Sequence, residues 1–224
     1  MELEKDERLE DLMIDGLKII QNVNLYRFTS DAVLLSRFAP KVGGKVADLC
    51  SGSGIVGIHY YALNKGVSVD EYELQKDLAE LCEKSIEYNG IGDHIKSYNI
   101  PVQEIPSEKY GTYSLVLCNP PYKKVNSGEK NPQDHIALCR HEIAVTLSEI
   151  IGVAYKLLGH GGRFCLCQRV ERLTEIIVGM KQRGLEPCRI AFVTAGKDKK
   201  PYLVLVEGAK GVKPQLKVLP SIEN

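Results

Sequence analysis

The chain has 224 residues, enough for one ordinary domain with a real core and too few for a large two-domain enzyme. Its 29 lysines and arginines balance 29 aspartates and glutamates, so no global field draws it to nucleic acid or an anionic membrane, and any such partner is held by local patches. The charged opening MELEKDERLEDLM lacks the apolar core of a signal peptide, and no segment approaches the roughly 20 apolar residues of a membrane span, which predicts a cytoplasmic protein with no membrane partner.

Seven cysteines lie at 50, 82, 118, 139, 165, 167 and 188 with no C-x-x-C pair, several inside apolar runs. Reduced, mostly buried thiols are expected, and no metal site. In GGRFCLCQ the alternation places Cys165 and Cys167 on one strand face.

In chain order, periodicity predicts a helical beginning. In TSDAVLLSRFA, Ala32, Leu35 and Phe38 recur at helical spacing behind the potential caps Thr29, Ser30 and Asp31. KVADLC (45–50) reads as a buried strand, SGSG as a glycine turn and IVGIHYYALNKG as a helix ending at Gly66. SVDEYE (68–73) alternates as a strand, and KDLAELCEKSIEYNG follows as an amphipathic helix. IKSYNI (95–100) and YSLVLCN (113–119) are the third and fourth strands of this series. HEIAVTLSEIIGVAYKLLG then repeats Ile143, Leu147, Ile150, Ala154 and Leu157 as a helix. GRFCLCQ, a helix through VERLTEIIVGMKQRG, and the strands PCRIAFV and YLVLVEG complete the pattern. Alternating units that end in a hairpin predict an α/β fold of Rossmann-like, doubly wound type. It has a seven-stranded, mostly parallel sheet with one antiparallel strand and helices on both faces. The expected organisation is a helical cap over 1–44, the main domain over 45–210 and a tail over 211–224.

In such sheets the ligand lies beyond the carboxyl ends of the strands, where strand order reverses. Gly52 and Gly54 of DLCSGSGIVG let a ligand approach the backbone, and Gly57 lets the helix lie against the sheet. That spacing also describes a dinucleotide site or a merely tight turn. Asp48 would repel a pyrophosphate and suits a cationic ligand such as S-adenosylmethionine. Glu73, at the end of the second strand, suits ribose hydroxyls, and Leu74 suits an adenine face. Asn99 either reads the adenine edge or is a turn residue before Pro101.

The fourth strand delivers Asn119-Pro120-Pro121-Tyr122 to the same edge. Two prolines remove two N–H donors and stiffen the loop, leaving carbonyl acceptors. An amino group conjugated to an aromatic ring or a carbonyl is a fitting substrate: Asn119 and the Pro120 carbonyl accept its hydrogens, and Tyr122 stacks on the planar base. A turn that simply closes a strand is the alternative. Beyond it, KKVNSGEKNPQDHIALCRHE reads as a substrate lid with Lys123, Lys124, Arg140 and His141, or as a disordered loop, and His141 reads also as a capping or surface histidine at the start of the next helix. GKDKKPY and AKGVKPQLK bracket the last hairpin with six lysines, Lys197, Lys199 and Lys200 among them, as a phosphate-contacting patch or a solvated surface.

These motifs resemble the class I S-adenosylmethionine-dependent methyltransferases of amino groups, whose hallmark is (D/N/S)PP(Y/F/W). LYRFTSDAVLLSRFAP, DLCSGSGIVGI and YELQKDLAELCEKSIEYN look like the bacterial enzymes that methylate N6 of the adenine next to the anticodon of a valine tRNA. The resemblance implies S-adenosylmethionine as cofactor and tRNA as partner; a monomer is expected, although the sequence does not fix the oligomeric state. It also implies that Tyr26, Phe28 and Asp31 help close the cofactor site, although the same helix serves equally well as a packing cap. Cys50 stands where many members have the first glycine, and Asn99 where many have aspartate. The alternatives are methylation of a protein glutamine amide and a non-catalytic RNA-binding module.

Overall fold

The computed structural model describes residues 3–25, 30–120 and 145–224. The chain opens with an antiparallel hairpin of β1 (Glu7–Asp11) and β2 (Lys18–Asn22), where a helix is expected from the sequence. The correction has a simple cause: ERLED is too polar to show a buried face, and its partner KIIQN gains its strand character by burying Ile19 and Ile20 against the body. Helix α1 (Ser30–Phe38) follows, so the described part of the first 44 residues is a hairpin plus one helix.

Next come β3 (Lys45–Leu49), α2 (Ile55–Leu63), β4 (Ser68–Tyr72), α3 (Lys76–Tyr88), β5 (Ile95–Tyr98) and β6 (Tyr113–Cys118). Beyond residue 145 lie α4 (Leu147–Leu157), β7 (Leu158–Arg169), α5 (Leu173–Arg183), β8 (Leu185–Thr194), β9 (Pro201–Lys210), β10 (Lys217–Val218) and β11 (Ile222–Glu223). Helix α4 starts later than the apolar repeat suggests because Thr146 caps it. The Thr146 hydroxyl accepts the Glu149 N–H at 3.2 Å, and the Glu149 carboxylate accepts the Thr146 N–H at 2.7 Å.

The main sheet runs β10-β8-β9-β7-β6-β3-β4-β5, with β11 also on β8. Strands β3 to β7 are parallel, and β9 is antiparallel to both β7 and β8. The seven expected strands are present. The tail adds two short ones that pair with β8 and cover what is otherwise an edge. Side chains alternate between two cores. Val46, Val69, Leu115, Leu117, Cys165 and Cys167 face α1 and α2, while Ala47, Val116, Cys118, Phe164 and Leu166 face α4 and α5. Five of the six described cysteines are buried, Cys50 is half-buried, and none forms a disulfide. Among the described residues no helix is long and apolar enough to cross a membrane.

Candidate functional site

Strand order reverses between β3 and β6, the place where an open α/β sheet leaves a crevice. Leu49 of β3 and Cys118 of β6 are register partners. The next residues, Cys50 and Asn119, therefore leave the sheet side by side, one opening the glycine loop and the other the Asn-Pro turn. Asn119 is half-buried and Pro120 buried.

The loop needs left-handed backbone at three of five consecutive positions: Cys50 (φ 58°), Gly52 (φ 59°) and Gly54 (φ 87°). Cysteine adopts this conformation at a cost that glycine avoids, so the loop keeps its turn where many relatives of the amino-methyltransferase kind use glycine. A Cβ at Gly52 would point into open space, which leaves that backbone free to meet a ligand, whereas one at Gly54 would strike the Cys82 thiol. The loop closes on itself through Gly54 N–H to Ser51 O at 2.9 Å, and Ser51 N–H bonds Tyr72 O on β4 at 3.1 Å.

Glu73 ties the loop to the second strand of the crevice. Its two carboxylate oxygens accept from Gly52 N at 2.9 Å and Gln75 N at 2.8 Å, and each retains a second lone pair for a ligand hydroxyl. Beside it Leu74 is 42% exposed on a shallow depression lined also by Cys50, Pro101, Val102 and Val145. An exposed leucine over an apolar hollow, next to a carboxylate, fits the adenine and ribose of an adenosine cofactor. Asn99 donates its amide hydrogens to Glu73 O and Leu74 O, both at 2.9 Å, so it holds this turn and offers only its oxygen to a base.

Asp48 is placed differently from the direct ligand contact its position suggests. It is fully buried under the loop, with Oδ2 accepting the Gly57 N–H of α2 at 3.2 Å. Gly54, the cap of α2, has no side chain, and Asp48 satisfies one of the N–H groups that α2 leaves open. No part of Asp48 reaches the outer surface of the loop. Burial pushes its carboxyl up to about 7. Glu71, its register partner on β4, is also fully buried and is pushed well above the carboxylate range by burial and by Asp48. Glu71 is absent from the sequence reading, yet an acid in the middle of a central strand is itself a signal.

The N-terminal hairpin touches the loop: buried Gln21 donates from Nε2 to Ser53 Oγ. No motif marks Gln21. Asp31 is buried in the first turn of α1. Lys197, Lys199 and Lys200 are exposed in the β8–β9 turn, on the same carboxyl edge as Asn119 and two to three strand spacings, about 10–14 Å, from β6. The second lysine group does not join them there: Lys210 lies at the opposite edge, where Nζ donates to Tyr155 O and Leu158 O of α4 and β7. Tyr26, Phe28, Pro121, Tyr122, Lys123, Lys124, Arg140, His141 and the proposed lid lie outside the described residues.

The chain is similar to a tRNA1(Val) (adenine(37)-N6)-methyltransferase of Erwinia tasmaniensis, 26% identical over 157 residues, covering 69% of this chain and 63% of that one. A Flavobacterium psychrophilum protein of the same name is 22% identical over 193 residues, covering 85% and 75%. A release factor glutamine methyltransferase of Leptospira interrogans is 28% identical over 176 residues, covering 74% and 60%. The chain thus spans less than two thirds of the Erwinia and Leptospira proteins. Among solved structures, a "predicted O-methyltransferase" from Agrobacterium tumefaciens superposes with TM-score 0.66 at 19% identity, covering 86% of both chains. TYW2 of M. jannaschii in complex with AdoMet superposes with TM-score 0.62 at 11% identity, covering 93% and 87%. Residues 29–176 match the model of the methyltransferase small domain, and this chain belongs to that family.

Proposed function

We propose that this methyltransferase uses S-adenosylmethionine to methylate the exocyclic N6 amino group of adenine in tRNA, at the adenine next to the anticodon of a valine tRNA. One observation supports this reading above the rest: Asn119 and Pro120 leave β6 directly beside the loop that leaves β3. Glu73, Leu74 and the Gly52 backbone would hold the adenosine, with Asn99 bracing the turn, and Tyr26, Phe28 and Asp31 would complete the enclosure. S-adenosylmethionine, when bound, supplies an electrophilic methyl group on a sulfonium.

The chain's own groups do the rest. The Asn119 side-chain oxygen and the Pro120 carbonyl accept the two amino hydrogens, which draws the nitrogen lone pair out of conjugation and aims it. Pro121 keeps the turn rigid and Tyr122 stacks on the base. No strong base is required, because the nitrogen's proton becomes acidic only once it is alkylated. Lys123, Lys124, Arg140, His141, Lys197, Lys199 and Lys200 would contact the tRNA.

The relatives named for tRNA1(Val) support the substrate, and the Leptospira relative favours a second reading, N5-methylation of a protein glutamine, whose planar amide suits the same acceptors. The deciding experiment is transfer of labelled methyl to total tRNA from a strain lacking the gene, followed by nucleoside analysis. Label in N6-methyladenosine supports the tRNA reading. Label confined to protein would replace it with the glutamine reading.

A further inference from the structure

Two acids lie side by side beneath the loop. Asp48 and Glu71 are register partners on adjacent parallel strands, point to the same sheet face and are both fully buried. Neither oxygen of Glu71, nor Oδ1 of Asp48, has a well-formed hydrogen bond, and the Ser51 hydroxyl is the donor group that lies beside Glu71. Two buried carboxylates cannot both stay ionised at this separation, and a proton held between them supplies the missing donor.

The surroundings decide which acid keeps it. Asp48 accepts the Gly57 N–H at the start of α2, where the helix end favours negative charge. Glu71 has no helix end beside it and only the Ser51 hydroxyl to favour its charged form. The other groups facing the pair are the Ser51 hydroxyl of the loop, the Cys82 thiol of α3 and the Glu73 carboxylate, and Asp70 acts on it through the sheet; none of these carries positive charge. Asp70 lies on the opposite sheet face, where Lys109 and Tyr113 hold it at 2.8 and 2.5 Å. Space for Glu71 exists only because residue 57 is glycine: a Cβ there would strike the Glu71 carboxylate, its Cδ lying at 2.7 Å.

We infer that Glu71 is a positioning residue for the cofactor loop: as a neutral acid it donates its proton to Asp48, which fixes Asp48 as the anion that holds the start of α2 and faces the cationic end of the cofactor. This role rests on the S-adenosylmethionine reading above. Burial raises both carboxyls; Asp48 raises Glu71 further, whereas a hydrogen bond from Glu71 lowers Asp48, in agreement with one shared proton that sits on Glu71.

Two readouts test it. Infrared difference spectra of the wild type at pH about 8 should contain the C=O stretch of a buried protonated carboxyl, and Glu71→Gln should remove it; a wild type without the band, or a variant that keeps it, would overturn the proposal. Calorimetric binding of S-adenosylmethionine should change less than about twofold in Glu71→Gln, whose amide N–H replaces the donor. In Glu71→Leu it should weaken about tenfold at pH about 7 and recover as rising pH ionises Asp48. Should Glu71→Leu fail to fold, Gly57→Ala/Glu71→Ala fills the same space without a donor and should behave alike. Equal binding by the Gln and apolar variants at every pH would reduce Glu71 to a space filler. A wild type that shows the band but binds no S-adenosylmethionine would overturn the cofactor reading and the positioning role with it, while leaving the proton on Glu71.

Discussion

Replacing Gly57 with alanine sets helix propensity against packing. Alanine in a helix is favoured over glycine by about 1 kcal/mol. Against that, the new Cβ would strike the Glu71 carboxylate, with Glu71 Cδ at 2.7 Å and Val69 Cγ1 at 2.9 Å, and both side chains are fully buried on a strand that cannot retreat. Overpacking of this kind costs about 1–3 kcal/mol, and displacing Glu71 from its proton-sharing partner adds about 1–3 kcal/mol for an unsatisfied buried acid. The net expectation is a loss of about 1–5 kcal/mol, which for a chain of this length lowers the melting temperature by about 2–20 °C. Urea and thermal denaturation of Gly57→Ala measure it directly. Adding Glu71→Ala should recover most of the loss, with a coupling above about 1 kcal/mol between the two sites. A Gly57→Ala protein as stable as the wild type, or more so, would refute the placement of Glu71 against α2.

Three further outcomes are expected. Asn119→Ala should lower kcat by about 100-fold or more while leaving the S-adenosylmethionine Kd within about twofold, as measured by single-turnover kinetics and calorimetry. The folded protein binds one proton at the Asp48–Glu71 pair more tightly than the unfolded chain, because burial raises both carboxyls; the contribution of that proton to stability is therefore lost progressively as pH rises from the ordinary carboxylate range through about 7 and above. Asp48→Asn/Glu71→Gln should show a flatter urea-derived stability profile across the same range, and parallel profiles would count against titration of the pair. Reversing Lys197, Lys199 and Lys200 to glutamate should weaken tRNA binding and reduce its log–log salt slope by about 2–3, with little effect on cofactor affinity; an unchanged slope would place the tRNA elsewhere.

Much of this architecture is local and therefore legible in the residues alone. Apolar runs bounded by glycines mark β3, β4 and β6, the amphipathic repeat marks α3, and strand-helix alternation implies the parallel order with a final antiparallel strand. Gly52, Gly54, Glu73 and Asn119 meet at one edge because each ends or follows a parallel strand, and parallel strands present their carboxyl ends together. Other features depend on what the chain folds against. The β1–β2 hairpin has little apolar periodicity of its own and exists because Ile20 finds α3, through its N–H to Ser85 Oγ at 2.9 Å, and Gln21 finds the loop. The tail strands form because β8 offers unpaired backbone, and Asn224 then reaches Ser30 and Tyr202 at 2.7 Å each. The pairing of Asp48 with Glu71 is likewise a matter of register between strands more than 20 residues apart in sequence. Composition sets the charge of each residue, but only the tertiary structure sets which carboxyl lies next to a helix N-terminus and which lies next to another carboxyl. That difference in surroundings, acting through desolvation and hydrogen bonding, decides which acid is an anion.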